Sequence, residues 1–383
     1  MNHNIFVSSL PGQADYLEKE IIDLGYDVTK KSFFGINIRG SFNDCVKLNL
    51  WLRTANKVLF ELKSFHAPNA EKLYREVYNY PWHEVLIEDG YFTVDSYVKN
   101  DSINDKRFAQ VKLKDAIVDR IRKEKNVRPD TGPERDDAAV YLHWSENKAV
   151  IYLDTSGQTI AKHGYRLHPW KAPLMEALAT SIIMGTEWTP DQLFVNPMCG
   201  SGTLAIEAAL MAINKRPGLI RSNYGFMHTH LFDPEYYKEE MHNLKNAILP
   251  GDDVRIVAGD IDPKAVSIAK KNANAAGVDH LIDFHTGDFK TTPLRDSSGV
   301  IVLNPDYGIR LSEGETENLE LLYQNIGDFF KNEATGYTGY VFTGNLSLLK
   351  RVGLRTSSRK TYFNGKLECR LAEYPLYKGS KKN

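Results

Sequence analysis

The regular alternation of strand-like and helix-like segments in the C-terminal half most constrains how this chain can fold. Short apolar runs, typical of buried strands, alternate with stretches in which apolar residues recur at helical spacing. These segments are Leu193–Asn196, Leu204–Asn214, Val254–Asp260, Lys264–Ala276, Ile282–Thr286, Gly299–Asn304, Leu319–Lys331 and Gly339–Gly344. Such alternation predicts a parallel sheet with helices on both faces, and therefore an α/β domain.

The N-terminal part has a different order of elements. Strands predicted at Asn4–Ser8 and Phe33–Arg39 flank a helix at Gln13–Leu24, which indicates a small α+β unit ending near residue 55. In the unit that follows, the pattern predicts helices at Ala70–Tyr80 and Val111–Lys125 and strands at Tyr91–Val98, Ala138–Trp144 and Ala149–Asp154. A chain of 383 residues is long enough for two or three such domains.

The charge balance and the cysteines exclude several classes of protein. Lys plus Arg number 48 and Asp plus Glu 49, which excludes a uniformly basic nucleic-acid binder but not an enzyme with a local basic face. Cys45, Cys199 and Cys369 have neither a disulfide framework nor the spacing of zinc ligands, so we expect no metal. No secretory signal and no run of the ~18 apolar residues of a membrane helix is visible, so we expect a cytoplasmic protein.

A glycine-containing loop lies between the first predicted strand and helix of the α/β domain. The run Gly200-Ser201-Gly202-Thr203-Leu204-Ala205 fits the dinucleotide fingerprint G-x-G-x-x-G/A, although a plain tight turn can give the same pattern. Two glycines let the backbone turn sharply and approach a ligand, and the helix N-terminus adds free N–H groups. The loop is therefore a candidate cofactor site.

Acidic residues follow the next two predicted strands. Asp260 can accept hydrogen bonds from ribose hydroxyls, and we expect Asp262 to cap the helix that follows it. Asp288 could accept from an adenine amino group, with Phe289 beside the ring, although Gly-Asp is also a common turn pair.

The segment Asn304-Pro305-Asp306-Tyr307-Gly308-Ile309-Arg310 follows the predicted strand at 299–304. Alone it fits an ordinary Asn-Pro turn. It also resembles the Asn-Pro-Pro-Tyr motif of class I S-adenosylmethionine-dependent amino-methyltransferases. The runs Pro197-Met198-Cys199-Gly200-Ser201-Gly202-Thr203, Ile206-Glu207-Ala208-Ala209, Asp154-Thr155-Ser156-Gly157, His163-Gly164-Tyr165-Arg166 and Ala172-Pro173-Leu174 together resemble one branch. That branch is the THUMP-domain RNA guanine-N2-methyltransferases of the large-subunit ribosomal RNA type.

The resemblance spans about residues 1 to 380 and implies the domain organisation. It implies a ferredoxin-like α+β unit at 1–55, a THUMP RNA-binding domain at 56–155, a connector at 156–172 and a Rossmann-like class I methyltransferase domain at 173–383. S-adenosylmethionine would be the cofactor. RNA would be the partner, with ribosomal RNA favoured over tRNA. The oligomeric state is left open.

The resemblance also implies roles for single residues. The residues carried over as cofactor-binding are Pro197, Cys199, Gly200, Gly202, Thr203, Asp260, Asp288 and Phe289. The Asn304 side chain and the Pro305 carbonyl would accept hydrogen bonds from the target amine, and Tyr307 would stack on the base. The family pattern has proline where this chain has Asp306, which puts the rigidity of the motif, and with it the activity, in question.

Two basic segments are candidates for contact with RNA phosphates. Lys112, Arg120 and Lys123 lie on the helix predicted at 111–125, where a charge run fits a solvated helix face equally well. Arg310 follows the Asn304 motif, and Arg355 lies in a C-terminal run that contains no acidic residue.

Three other functions remain open from the sequence. Adenine-N6 methylation of RNA or DNA uses the same kind of exocyclic amine. A nicotinamide oxidoreductase would explain the glycine fingerprint, but Asp260 lies far beyond the expected ~20 residues from it. An RNA-binding protein whose methyltransferase site is impaired at Asp306 is the non-enzymatic alternative.

Overall fold

A computed structural model describes residues 2–103, 105–171, 173–308 and 315–377 of the chain. The chain divides into two compact units, each built from non-contiguous segments. The first comprises Met1–Ser9, Leu17–Ala161 and Arg221–Leu244, and the second comprises Leu10–Tyr16, Lys162–Ile220 and Lys245–Asn383.

The first unit is built on an eight-stranded sheet. Its strands are β1 (His3–Ser9), β2 (Val28–Ser32), β3 (Gly35–Gly40), β4 (Ala55–His66), β5 (Tyr91–Lys99), β6 (Asp130–Thr131), β7 (Ala138–Ser145) and β8 (Lys148–Asp154), in the order β2-β3-β1-β4-β8-β7-β5-β6. The helices among them are α1 (Ala14–Asp23), α2 (Phe42–Trp51), α3 (Ala70–Tyr78) and α4 (Lys106–Lys125). The strands predicted at Ala138–Trp144 and Ala149–Asp154 are present as the antiparallel pair β7–β8.

The N-terminal α+β unit, predicted to end near residue 55, and the unit after it share one sheet, because strand β4 pairs with strands of both. Residues 55–60 pair with β1, where Phe60 lies opposite Ile5, and residues 59–66 pair with β8, where Phe65 lies opposite Ala149. The sequence analysis did not identify β4, because several polar side chains interrupt the apolar positions of this half-buried strand.

Residues 221–244 belong to the first unit, although they lie within the predicted methyltransferase segment. The Phe226 amide donates to the Thr155 carbonyl at 2.9 Å, and the His230 amide donates to the Val85 carbonyl at 3.0 Å. The Arg221 guanidinium donates to the carbonyls of Ser156, Gln158 and Thr159. These bonds join segments far apart in sequence, so no local pattern predicts them.

The second unit is the predicted α/β fold. Its elements, with one helix shared with the first unit, are α5 (Glu176–Met184), β9 (Leu193–Asn196), α6 (Thr203–Ala212), α7 (Pro234–Asn246), β10 (Ile256–Asp260), α8 (Pro263–Ala276), β11 (Ile282–Thr286), β12 (Gly299–Leu303), α9 (Glu315–Asn332), β13 (Thr338–Thr343), α10 (Leu346–Leu349), β14 (Ser358–Asn364) and β15 (Leu367–Pro375). The sheet order is β11-β10-β9-β12-β13-β15-β14, and its first five strands are parallel.

The inner parallel strands β9, β10, β12 and β13 of the second unit are buried on both faces of the sheet. Consecutive residues of β9 point to opposite sides, so Phe194 joins one apolar cluster with Ala208 and Ala273, whereas Val195 joins another with Phe329. Continuous burial explains why the parallel strands read as unbroken apolar runs.

No helix in the described part of the chain is long and apolar enough to cross a membrane. The side chains described there likewise form no group of three or more potential metal ligands. Cys45, Cys199 and Cys369 are buried free thiols.

Candidate cofactor and methyl-transfer site

The predicted site residues follow four neighbouring parallel strands of the second unit. In the sheet, β9 lies between β10 and β12, with Asn196 opposite Ala258 and Val195 opposite Ile301. Because the order of the strands along the chain reverses at β9, a crevice is expected at the carboxyl ends of the strands there. The glycine loop follows β9, Asp260 ends β10, and Asn304 follows β12.

The two glycines of the loop have different structural surroundings. Gly200 and Gly202 have φ values of +54° and +86°, which favour glycine. A Cβ on Gly202 would lie 2.9 Å from the Cβ of Ala269, so this glycine lets α6 approach α8. Among the described residues, a Cβ on Gly200 would have only Trp170 Cδ1 within 4 Å, at 3.9 Å, so Gly200 faces the more open side.

The loop contains three buried residues of the predicted cofactor site, Pro197, Cys199 and Thr203. The Cys199 amide donates to the Gly259 carbonyl at 2.7 Å, which joins the loop to β10. Burial raises the pKa of the Cys199 thiol, which therefore stays neutral. No side chain in the described part of the chain caps the N-terminus of α6, where Gly202 is the capping residue. These residues shape the loop, and a ligand would contact mainly its backbone.

Asp260 connects the glycine loop to the loop after β10. One carboxylate oxygen accepts from the Gly200 amide at 3.0 Å, and the other accepts from the Asp262 amide at 3.0 Å. Each carboxylate oxygen has a second lone pair, so Asp260 can still accept from a ligand. Asp262 caps α8 by accepting from the Lys264 amide at 2.9 Å, which confirms the cap predicted for it.

Asp288 and Phe289 are placed differently from each other. Asp288 lies after β11 and accepts from the Lys290 amide at 2.9 Å, so it caps a short 3-10 turn. Phe289 is buried in the core, with its ring centroid 5.6 Å from that of Phe329. Next to Asp260, the apolar side chain of Ile261 is exposed, with 72% of its surface accessible. The sequence analysis did not single out Ile261, although it directly follows Asp260 at the end of a predicted strand.

Tyr307 holds the side chain of Asn304. The Tyr307 hydroxyl donates to Asn304 Oδ1 at 2.5 Å, and the Tyr307 ring packs edge-on against Phe342 with centroids 6.2 Å apart. Burial raises the pKa of Tyr307, so the phenol remains protonated and can donate. The Asn345 side-chain amide donates to the Tyr307 carbonyl at 3.1 Å. Neither Asn345 nor the hydroxyl contact was anticipated, because both depend on distant or side-chain geometry.

Asp306 stabilises its own loop. Its carboxylate accepts from the Gly308 amide at 2.9 Å, the local contact that Asp makes readily in turns. Its backbone carbonyl accepts from the Tyr323 hydroxyl at 3.2 Å. The loop is therefore held by hydrogen bonds where a proline would restrict the backbone covalently.

The basic residues predicted on α4 surround two tyrosines of α3. The Tyr74 and Tyr78 rings stack with centroids 6.0 Å apart. Lys112 lies over the Tyr74 ring, and Arg120 and Lys123 lie over the Tyr78 ring, with the cationic groups 5.7–6.0 Å from the centroids. We call these five residues the α3–α4 cluster. It combines positive charge with aromatic faces in the first unit.

The two other residues predicted to contact RNA phosphates, Arg310 and Arg355, do not lie on α4. Arg355 is exposed in the second unit. Arg310 lies outside the described residues. Two neighbours of Arg355 in the C-terminal basic run make internal contacts, since Arg351 pairs with Glu320 at 2.9 Å and Lys360 donates to the Gly185 carbonyl.

Three families of known domains match successive parts of the chain. An RlmL ferredoxin-like domain matches residues 4–59, a THUMP domain matches residues 67–154, and an RMKL-like methyltransferase domain matches residues 163–373.

Curated relatives match almost the whole chain. Ribosomal RNA large subunit methyltransferase K/L of Cellvibrio japonicus (strain Ueda107) is 34% identical over 98% of this chain and 51% of the relative. The protein of the same name from Syntrophotalea carbinolica is 35% identical over 97% of this chain and 53% of the relative. The chain spans about half the length of these curated relatives.

Solved structures share the fold of the chain. SMU.472, described as a methyltransferase and solved with SAH, is 26% identical, with a TM-score of 0.87 over 100% of this chain and 99% of that one. A protein of Listeria monocytogenes str. 4b F2365, described as a predicted N6-adenine-specific DNA methylase, is 27% identical, with a TM-score of 0.87 over 98% of this chain and 96% of that one.

Proposed function

Because this chain belongs to the RMKL-like methyltransferase family, we propose that it transfers a methyl group from S-adenosylmethionine to the exocyclic N2 amine of a guanine in RNA. Large-subunit ribosomal RNA is the proposed substrate, since the curated relatives carry that description. Family membership removes the nicotinamide oxidoreductase alternative.

The observation that carries this proposal is the arrangement of Asn304. It follows β12, the strand beside the one that leads into the glycine loop, and its side-chain oxygen is oriented by Tyr307. An amide oxygen has two lone pairs, so Asn304 can accept from the target amine while the Tyr307 contact persists. The Pro305 carbonyl is the proposed second acceptor.

Acceptors suit this chemistry because an amine conjugated to a purine is a poor nucleophile. Asn304 and Pro305 would orient the amine nitrogen and stabilise the positive charge that develops on it. A base within structured RNA must leave its stack to reach such a site. Tyr307 is proposed to contact that base through the part of its ring that Phe342 leaves accessible.

The residues around the glycine loop fit S-adenosylmethionine. Asp260 and Asp288 supply acceptors for hydroxyl and amino groups, the uncapped end of α6 supplies donors, and Ile261 supplies an exposed apolar surface. When bound, the cofactor supplies an electrophilic methyl group. The loop residues from Pro197 to Thr203 would bind it mainly through their backbone.

RNA capture is assigned to the N-terminal part of the chain. We assign residues 1–55 to the ferredoxin-like part, 56–155 to the THUMP domain, 156–172 to the connector and 173–383 to the methyltransferase domain. The α3–α4 cluster would contact RNA phosphates, with Arg310 and Arg355 as further contacts. Neutralised phosphates release counterions, so binding should weaken steeply with salt.

Methyl transfer from labelled S-adenosylmethionine to ribosomal RNA and tRNA fractions, followed by nucleoside identification, tests the proposal. We expect N2-methylguanosine in the large-subunit ribosomal RNA fraction. N6-methyladenosine would instead support the adenine alternative, which the description of the Listeria monocytogenes structure also names. Binding of RNA and cofactor without any product would support the impaired-enzyme alternative.

A further inference from the structure

The loops that follow the neighbouring strands β12 and β13 are joined by hydrogen bonds. In the sheet, Leu303 of β12 lies opposite Val341 of β13, so the two strands end at the same edge. The loop after β12 carries Asn304 and Tyr307. Asn345, in the loop after β13, donates from Nδ2 to the Tyr307 carbonyl at 3.1 Å. The loop that bears Asn304 is therefore attached through its backbone to the neighbouring loop.

The orientation of the Asn345 side chain is set by the turn in which it lies. Its Oδ1 accepts from the Leu348 amide at 3.2 Å and from the Ser347 hydroxyl at 2.7 Å, so Asn345 caps the short helix α10. Because the side-chain oxygen is used within this turn, the amide nitrogen is the group that faces the Tyr307 carbonyl.

A second attachment runs through two hydroxyl groups. Tyr323 of α9 and Thr343 at the end of β13 are fully buried. The Tyr323 hydroxyl donates to the Asp306 carbonyl at 3.2 Å and lies 2.8 Å from Thr343 Oγ1. Thr343 Oγ1 also accepts from the Asn345 amide at 3.0 Å. Because each hydroxyl has one proton, the Thr343 hydroxyl donates to Tyr323, which leaves the Tyr323 proton for the Asp306 carbonyl.

This chain of hydrogen bonds lies in a buried setting. Burial raises the pKa of Tyr323, so its phenol stays protonated and remains a donor. A hydrogen bond is electrostatically stronger in such surroundings than in water, and an unpaired buried polar group is costly. The carbonyls of Asp306 and Tyr307 are therefore both held from the side of β13.

The two held carbonyls adjoin the groups that would act on the target amine. The Pro305 carbonyl belongs to the peptide unit shared with Asp306, and the Tyr307 hydroxyl donates to Asn304 Oδ1. Rotation of the backbone at residues 306 and 307 would displace both acceptors. A misplacement of ~1 Å can cost ~100-fold in rate, so the restraint on this backbone matters for the reaction.

We propose that Tyr323, Thr343 and Asn345 are positioning residues for methyl transfer, because they hold the loop that bears both acceptors. We call these three residues the β13 network. The proposal rests on the proposed function, since it takes Asn304 and Pro305 as the acceptors of the target amine. The β13 network would restrain by hydrogen bonds a backbone that a proline at position 306 would restrain through its ring.

Tyr323→Phe tests the β13 network, because it removes one hydroxyl and keeps the buried ring. We expect kcat for methylation of large-subunit ribosomal RNA to fall roughly fivefold to tenfold, the order expected for one hydrogen bond. The KM for RNA and the Kd for S-adenosylhomocysteine should stay unchanged. Tyr337→Phe is the matched control, since Tyr337 lies in the same apolar cluster and its hydroxyl donates to the Asp296 carbonyl, before β12. Equal kcat in the two variants would overturn the proposal.

Two substitutions at Thr343 separate the hydroxyl from the size of the side chain. Thr343→Val removes the hydroxyl and keeps the branched shape, whereas Thr343→Ser keeps the hydroxyl. We expect a severalfold loss of kcat in Thr343→Val, of the order of one hydrogen bond, and nearly natural kcat in Thr343→Ser. The opposite ranking would show that Thr343 acts through packing and would contradict its positioning role.

Asn345→Asp covers the case in which the buried variants do not fold, because Asn345 is partly exposed. It keeps an acceptor for the Leu348 amide but loses the donor to the Tyr307 carbonyl. We expect a lower kcat with an unchanged Kd for S-adenosylhomocysteine. A folded Asn345→Asp variant with natural kcat would contradict the assignment of Asn345.

Hydrogen–deuterium exchange of the backbone amides between residues 304 and 308 tests the network without the reaction. We expect faster exchange in Tyr323→Phe than in Tyr337→Phe and the natural chain, since a loop held by fewer bonds opens more readily. Unchanged exchange would reject the β13 network whatever the activity. Faster exchange, together with no methylated product from the unaltered chain on any RNA fraction, would reject the proposed function and leave the attachment of the loop established.

Discussion

Asn304 carries the chemistry of the proposed reaction, and its effect should be separable from cofactor binding. In Asn304→Ala we expect kcat to fall about 10²–10³-fold, because a well-placed acceptor lost at a developing charge typically costs ~2.7–4 kcal/mol. The Kd for S-adenosylhomocysteine, measured by calorimetry, should stay unchanged. Tyr307→Phe removes only the hydroxyl that orients Asn304, so we expect a smaller loss of kcat. Equal losses of cofactor affinity and kcat in Asn304→Ala would contradict this role.

Asp306 adds a negative charge beside Asn304, close to where the proposed function places the RNA. Asp306→Asn removes the charge but keeps an oxygen that can accept from the Gly308 amide. We expect the KM for RNA to fall roughly two- to fivefold at low salt, equivalent to ~0.4–1 kcal/mol for an exposed charge pair. The difference should diminish at high salt. A variant that methylates RNA more slowly than the natural chain would show that Asp306 takes part in the reaction.

At the scale of single elements, ion pairs of Glu76 attach α3 to β4. Glu76 on α3 pairs with Lys63 on β4 at 2.8 Å and with Lys72 at 2.6 Å. Hydrogen bonds from Lys63, and then from Lys72, hold the pKa of Glu76 down to about 2. Because this pKa is lower than in the unfolded chain, the stabilisation is present above about pH 4.3 and is lost as the pH falls towards 2.

Glu76→Gln should therefore reduce the acid sensitivity of the protein. We expect the variant to be ~0.2–1 kcal/mol less stable than the natural chain at pH 6, the range measured for exposed pairs, with the difference shrinking at pH 3. Denaturant unfolding at the two pH values measures this. Glu71→Gln is the matched control, since the Glu71 carboxylate pairs with Arg75 at a largely exposed site. A pH-independent difference for Glu76→Gln would contradict the assignment.

Helix α4 presents the basic residues of the α3–α4 cluster. In Lys123→Ala we expect weaker RNA binding and a slope of log Kobs against log salt that is smaller by ~0.7–0.9, the value for one phosphate contact. Lys47→Ala is a suitable control, because Lys47 also lies over a tyrosine ring, that of Tyr26, but on another helix. Equal effects of the two substitutions would argue against a specific role for the cluster.

In the molecule as a whole, the first unit depends on a segment that lies far along the chain. Residues 221–244 belong to that unit and contribute the contacts of Arg221, Phe226 and His230. We therefore expect the fragment 1–155 to unfold at a lower temperature than the first unit within the full chain, and to bind RNA more weakly. Thermal unfolding and RNA titration of both proteins measure this. A fragment as stable as the intact unit would show that residues 221–244 are dispensable.

Local sequence patterns were sufficient for the elements whose signals are short-range. The parallel strands β9, β10, β12 and β13 are buried on both faces, so each reads as an apolar run, and the helices between them keep their apolar spacing. The glycine loop and the Asp262 cap were predictable for the same reason, because a positive φ and a helix N-terminus require particular residues locally.

Contacts across long sequence separations required the tertiary structure. The burial of Phe289, the exposure of Ile261 and the hydrogen bond from Tyr307 to Asn304 depend on which side chains the fold brings together. Strand β4 and residues 221–244 likewise obtain their hydrogen-bond partners from distant segments. A residue's type restricts the contacts that it can make, but packing selects the contacts that form, because each buried polar group must find a partner wherever the chain places one.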